Sequence, residues 1–235
     1  MVAAQFMAAL EPNTVRAFDE YLREADKQMT ARAMQAPAAA GPKEGVFGNN
    51  VGRSAGRGMV HDWSAAAFVL GGRKAAAIAV LEDFSRHGAI YLEVVEGRTE
   101  RREPGRTLGY HRLRKKKLLE VNLEVKYQLD VLPAAAGRYA TRTAATEIVE
   151  IDDAGTKKER RLPPGHDHGF LWRLQTYWTL DETSEGLWME VRSITLTRDV
   201  PLALGWAVKP LVRDLPRESL EAMLAATKRA VLQAR

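Results

Sequence analysis

The 235-residue chain contains no cysteine, which excludes disulfides, thiolate catalysis and cysteine metal sites while leaving the redox compartment open. It has no uninterrupted apolar stretch near the roughly 18–20 residues that a membrane-spanning helix needs. Its first residues, MVAAQFMAAL, lack the basic-then-apolar order of an intact signal peptide. Charge of one sign is scarce too: 35 Lys and Arg stand against 30 Asp and Glu, a formal +5, which favours anionic surfaces without demanding one. Aromatic residues make up 7% of the chain and are not interleaved with its basic clusters as base stacking requires, so specific nucleic-acid binding is not expected.

What is present suits one domain with a preceding arm. Hydrophobic residues reach 46% and charged residues 28%, enough to bury a sizeable core in a chain of ordinary surface polarity. Between Asn13 and Met29, the apolar Val15, Phe18, Leu22, Ala25 and Met29 recur every three or four residues, which predicts an amphipathic helix within an arm spanning residues 1–35. Pro12 and Asn13 or Thr14 mark its start. Residues 36–57 are rich in Gly, Pro and Ala with no sustained period, and read as a mobile linker. The main domain is expected over residues 58–235.

Within it, MVHDWSAAAFV from Met59 to Val69 predicts a first strand, followed by a short helix carrying Ala75, Ile78, Ala79 and Leu81. Further on, Leu119, Val121, Leu123, Val125 and Tyr127 alternate with Glu120, Asn122, Glu124 and Lys126. Successive strand side chains point to opposite faces, so one face is wet and the other covered. GRYATRTAATEIVEI repeats the pattern. At the end of the chain Leu220, Met223, Leu224, Thr227 and Val231 line one stripe of a helix that starts near Pro216.

The segments GFLWRLQTYWTL, LWMEVRSITLTRDVP, LGWAVKPLV and LPRESLEAMLAATKRAVL follow one another from Gly169 onward, and VHDW, YHRLRKKK and LPPGHDHGFLWRL precede or overlap them. In their order they resemble the START-like and polyketide-cyclase-like helix-grip superfamily (SRPBCC), in a bacterial branch, over about Gly58 to the end. The resemblance implies an α+β fold in which a curved antiparallel sheet wraps a long carboxyl-terminal helix, leaving a cavity. It further implies a hydrophobic small molecule or lipid as partner, no cofactor, and a periplasmic or envelope setting ahead of a cytoplasmic one. It selects no chemistry, since members bind sterols, lipids, polyketides or aromatic metabolites and some catalyse cyclisation, condensation or hydrolysis.

Strand alternation nominates His61, Trp63, Tyr127, Thr176, Trp178, Met189, Val191 and Ser193 as cavity wall, mostly apolar with a few polar handles. Trp178 is the preferred ligand contact. The enzymatic alternative rests on two residues. Ser54 lies in Gly52-Arg53-Ser54-Ala55-Gly56, a G-x-S-x-G pentapeptide whose flanks lack the strand and helix that a hydrolase serine turn requires. Ser54 would be the nucleophile of an esterase, and His61 would serve as acid or base in a cyclase or hydrolase, against the reading of a hydrogen-bonded core histidine.

His166-Asp167-His168 carries imidazoles and a carboxylate but no third ligand of clear spacing, so a polar turn is expected there and no metal. Glu190 and Arg192, two apart on one strand face, read as a mutual surface pair. The basic run Arg112–Lys117, with Arg101, Arg102 and Arg106 upstream, reads as a solvated rim. Its alternative role is peripheral contact with an anionic membrane, which salt would weaken.

Overall fold

A computed structural model describes residues 10–38, 41–51, 58–116, 120–163, 165–198 and 205–234, and the side chains among them except at 49–51 and 205–213. Helix α1 (Pro12–Met34) comes first, then strands β1 (Gly45–Val51) and β2 (Gly58–Leu70). Helix α2 (Lys74–Glu82), a 3-10 turn at Phe84–Arg86 and the short α3 (His87–Ile90) lead to β3 (Val94–Glu103), β4 (Arg106–Lys116), β5 (Glu120–Leu132) and β6 (Arg138–Asp152). The two-residue β7 (Arg160–Arg161), β8 (Arg173–Glu182), β9 (Gly186–Arg198) and α4 (Gly205–Gln233) complete the chain. Among the described residues the antiparallel sheet has nine strands, in the order β1-β2-β9-β8-β6-β5-β4-β3 with β7 paired to β6. This is the expected α+β, helix-grip architecture.

Because β2 and β3 lie on opposite sides of that order, the α2–α3 segment must cross the sheet, and it does so on the face that α4 also covers. We call this the inner face. Ala65 and Val69 of β2, Trp178 and Leu180 of β8, and Leu187, Met189 and Val191 of β9 are buried there against Ala77 and Leu81 of α2 and Leu220, Leu224 and Val231 of α4. The carboxyl-terminal stripe therefore faces the sheet, as its period implies.

A second inner-face cluster holds Leu123, Val125, Tyr127 and Leu129 under Phe84. Gly97 and Gly109 make room for Phe84: a Cβ on Gly97 would meet its carbonyl oxygen, and one on Gly109 its ring.

The opposite, outer face is covered by α1. Phe18 and Ala25 are buried with Val60, Tyr177, Ile194 and Leu196, and Leu10, Tyr21, Leu22 and Met29 pack around them. Polar groups fix the same interface. Asp62 receives a bidentate pair from Arg192 at 2.9 and 2.6 Å and the Tyr21 hydroxyl at 2.5 Å. Asp26 of α1 accepts from the Tyr177 hydroxyl at 2.8 Å and Gln175 at 3.1 Å. Arg138, paired bidentately with Asp181, also donates to the carbonyls of Arg32 and Gln35 at the end of α1, where unpaired helix carbonyls and the negative dipole end favour a cation.

Four details depart from the sequence reading. Residues 36–57, read as a mobile linker, contain β1, which pairs with β2 over the full register Gly45↔Ala66 to Val51↔Val60. Its pairing is through the backbone, so its Gly- and Asn-rich sequence carries no apolar period. Helix α4 starts at Gly205 rather than near Pro216; the fixed φ of proline is compatible with a helix, although each interior proline gives up one N–H bond and crowds the carbonyl four residues before it. Pro12 does occupy the first turn of α1, but the capping position is Glu11, without a side-chain cap, instead of Asn13 or Thr14. Glu190 and Arg192 do not pair with each other: Glu190 takes Arg32 at 2.5 Å and Arg192 takes Asp62 at 2.6 Å, because the docked helix brings closer partners.

Candidate functional site

The strand register sorts the nominated wall residues. Trp63 lies opposite Ser193, Ser193 opposite Thr176, and Thr176 opposite Thr143. One row to one side, His61 faces Thr195 and Thr195 faces Leu174; one row to the other, Ala65 faces Val191, Val191 faces Trp178, and Trp178 faces Thr141. Met189 is two residues from Val191, and Tyr127 lies opposite Ala145 and Gly109. All eight positions thus share the inner face.

Their surroundings differ. Trp178, Met189 and Val191 are buried in the apolar cluster under α4. Tyr127 is buried against Phe84 and stands edge-on to His111 at 4.9 Å between ring centroids; burial pushes its phenol pKa up. His61 is fully buried, with Nε2 3.0 Å from the Thr197 hydroxyl, the geometry of a hydrogen-bonded interior histidine. By contrast Trp63, Ser193, Thr176, Thr143, Thr195 and Leu174 are half-buried. The inner face therefore has a closed apolar zone under the described part of α4 and, beside it, a more open zone of indole, hydroxyl and aliphatic groups.

In and beside that open zone, Trp63 Nε1, Thr195 Oγ1 and Thr141 Oγ1 are buried yet have no hydrogen-bond partner among the described residues. Thr143, Thr195 and Thr141 were not nominated from sequence. Their signal was available: Thr141 and Thr143 share parity with Tyr139 in RYATRTAAT, and Thr195 with Ser193. A register shift between β5 and β6, where Lys126 pairs with Glu147 and Tyr127 with Ala145, then moves even-numbered Ile148 and Glu150 onto the same face.

The remaining candidates are placed as follows. Ser54 lies outside the described residues. Of the His166–His168 triplet, Asp167 accepts from Trp172 Nε1 at 2.8 Å. His168 donates its backbone N–H to Glu150 Oε2 at 2.8 Å and has Nδ1 3.0 Å from the same oxygen, while Phe170 N–H donates to Oε1. Burial pushes the Glu150 pKa up. These bonds build the polar turn that leads into β8. In the basic run Arg112 pairs with Glu159 at 2.6 Å, Lys115 with Glu93 at 2.6 Å and Lys116 with Glu120 at 3.9 Å. Lys117 lies outside the described residues.

A polar group that sequence reasoning missed entirely is buried beside Tyr127. His87 Nε2 is 2.8 Å from the Val80 carbonyl and its Nδ1 is 2.8 Å from His111 Nε2. Two depressions also mark the outer face: a cleft of about 420 Å³ between α1 and β1 floored by Ser64 and Ala66, and a groove of about 360 Å³ where Arg98 stacks on Tyr110 at 3.8 Å. The cations of the groove are compensated by Glu96, Glu147 and Glu159.

No known family model matches the chain, and no curated protein matches it in sequence. Solved structures do match in fold. A crystal structure of a protein from Thermus thermophilus superposes with a TM-score of 0.51 at 17% identity, covering 74% of this chain and 98% of that one. The STAR-related lipid transfer protein from Xanthomonas axonopodis gives a TM-score of 0.50 at 15% identity, covering 77% of this chain and 99% of that one. The fold is START-like, as the order of sequence segments led us to expect.

Proposed function

We propose that the protein binds a hydrophobic small molecule or lipid in a cavity between the inner face of the sheet and α4, as a carrier or sensor. One observation carries this reading: next to a fully closed apolar core lies the half-buried row Trp63, Ser193, Thr176 and Thr143, with buried polar atoms that have no protein partner among the described residues. Cores normally satisfy such atoms, so a face that leaves them idle is built for a group from elsewhere. The fold shared with a lipid transfer protein supports the same reading. Apolar ligand surface leaving water would drive binding at roughly 25 cal/mol per Å², and Trp63, Thr176 and Ser193 would orient it.

An enzymatic reading through His61 has less to stand on, because that ring is fully buried and already hydrogen-bonded to Thr197. The deciding experiment is native mass spectrometry of gently purified protein, followed by denaturing extraction of whatever travels with it. A bound lipid-like or polyketide-like mass supports binding and reveals the ligand class. Protein that is empty as purified and takes up no mass on incubation with a lipid extract overturns it.

A further inference from the structure

The polar atoms of the open zone constrain the chemistry of a ligand there. Trp63 Nε1 is a donor only; Thr195 Oγ1 and Thr141 Oγ1 can donate or accept; none has a partner among the described residues. Thr141 is completely buried. The three surround the row Trp63, Ser193, Thr176 and Thr143, which runs over four neighbouring strands. At about 4.8 Å per strand that row is about 14 Å long. Thr195 stands two residues from Ser193 and Thr141 two from Thr143, on the same face.

Among the described strand residues no carboxylate, lysine or arginine is interleaved with these groups. Among the described residues the inward positions around the row include Ala65, Val191, Trp178, Leu174, His61 and Ala145, with Gly48 and Leu129 opposite its two ends. The nearest inward carboxylates along the strands are committed elsewhere: Glu150 beyond the register shift holds His168 and Phe170, and Glu182 at the end of β8 holds the Lys74 amide.

A carboxylate, sulfate or phosphate placed on this floor would lose its hydration with no cation among the described strand residues to replace it, which is among the costliest burials a protein can impose. A neutral ligand bearing carbonyl or hydroxyl oxygens meets the opposite situation. Its oxygens satisfy an indole N–H and hydroxyls that are already desolvated, and its frame lies against Leu174, Val191 and Trp178.

Resting on the binding reading above, we infer that the site selects an uncharged ligand with oxygen functions distributed along a hydrophobic frame, and discriminates against an anionic lipid of similar size. Because Trp63 only donates, at least one of those oxygens acts as an acceptor.

The test is direct titration of the full chain with two matched pairs: androstenedione against dehydroepiandrosterone sulfate, and 1-monooleoylglycerol against oleate. Within each pair we expect the neutral member to bind about tenfold tighter or more. W63F and T195V, each first shown to keep the wild-type circular dichroism spectrum and melting temperature, should weaken the neutral ligands several-fold and leave the residual affinity for the anions unchanged. Anions that bind as tightly as their neutral partners overturn the inferred selectivity and leave the binding reading standing. Neutral binding indifferent to both substitutions overturns the placement of the donors. If none of the four ligands binds and the purified protein carries no extractable mass, both the selectivity and the proposed function fall.

Discussion

His87 Nδ1 and His111 Nε2 sit 2.8 Å apart in a buried pocket walled by Phe84, Tyr91 and Tyr127. The proton positions follow from the far end of the chain. The Val80 carbonyl can only accept, so His87 Nε2 carries its proton there, and His87 Nδ1 must accept from His111 Nε2–H. Both rings are neutral in this arrangement, and burial lowers the pKa of His87 to about 4 and that of His111 to about 3.

Acid should therefore destabilise the protein well before its carboxylates titrate. The unfolded imidazoles protonate near pH 6.5 and the folded ones near pH 3–4, so the unfolded state binds more protons throughout that window. Stability is full above pH 6.5 and falls as pH drops towards 4. Linkage puts the loss from His87 alone at on the order of 3 kcal/mol by pH 4, before the screening of its neighbours Asp83 and Arg86 is considered. Chemical denaturation at a series of pH values measures this, and His111→Leu should flatten the slope while lowering stability at pH 7 by roughly 1–3 kcal/mol through the orphaned His87 nitrogen. A wild-type midpoint that is level from pH 7 to 4.5 contradicts the assignment.

Phe84 reaches the sheet only because Gly109 and Gly97 lack side chains. A methyl on Gly109 must displace the Phe84 ring from Leu123, Val125, Tyr127 and Leu129, and overpacking of this kind costs about 1–3 kcal/mol. Gly109→Ala should lower the unfolding midpoint accordingly, and Phe84→Leu in the same chain should recover part of the loss. Additive losses in that double-mutant cycle would show that the two positions are not coupled.

Asp62 joins α1 to the sheet by accepting from both Tyr21 and Arg192. Neutralising it leaves a half-buried guanidinium without its counter-charge, a change that costs on the order of 2–4 kcal/mol. Asp62→Asn should loosen α1, read as faster amide exchange confined to Pro12–Met34. Uniform acceleration across the sheet would mean that α1 is not a separately releasable element.

The parts of the fold that sequence alone revealed are those where one face is wet and one is buried. In β5 the charged or polar Glu120, Asn122, Glu124 and Lys126 alternate with Val121, Leu123, Val125 and Tyr127, and the parity that places Trp63, Thr176 and Ser193 on one face comes from the same physics. The hairpin of β3 and β4 gave no such signal. β3 is an edge strand exposed along most of its length, and VEGRTERRE needs no apolar period to pair through its backbone. The Glu190 and Arg192 partners were hidden because they lie in α1 and β2, far along the chain, and the His87–His111 pair because two histidines 24 residues apart carry no local pattern. The unpartnered Thr141 and Thr195 were legible as inward positions, but whether an inward hydroxyl finds a partner depends on packing that parity does not encode.

The division of the inner face into a closed and an open zone predicts opposite responses to changes of side-chain volume. Met189 is completely buried among Leu180, Leu187 and the α4 leucines, so Met189→Ala should leave a cavity and cost about 2–5 kcal/mol. Ser193, on the same strand face, is half-buried. Ser193→Leu adds apolar volume where the protein has not closed over itself, so its melting temperature should be unchanged or raised. The same leucine occupies the space that a ligand would fill beside Trp63 and Thr176, and any copurifying mass should disappear from the native spectrum. Ligand retained by Ser193→Leu but lost from a still-folded Met189→Ala would move the binding zone under the carboxyl-terminal half of α4 and away from the hydroxyl row.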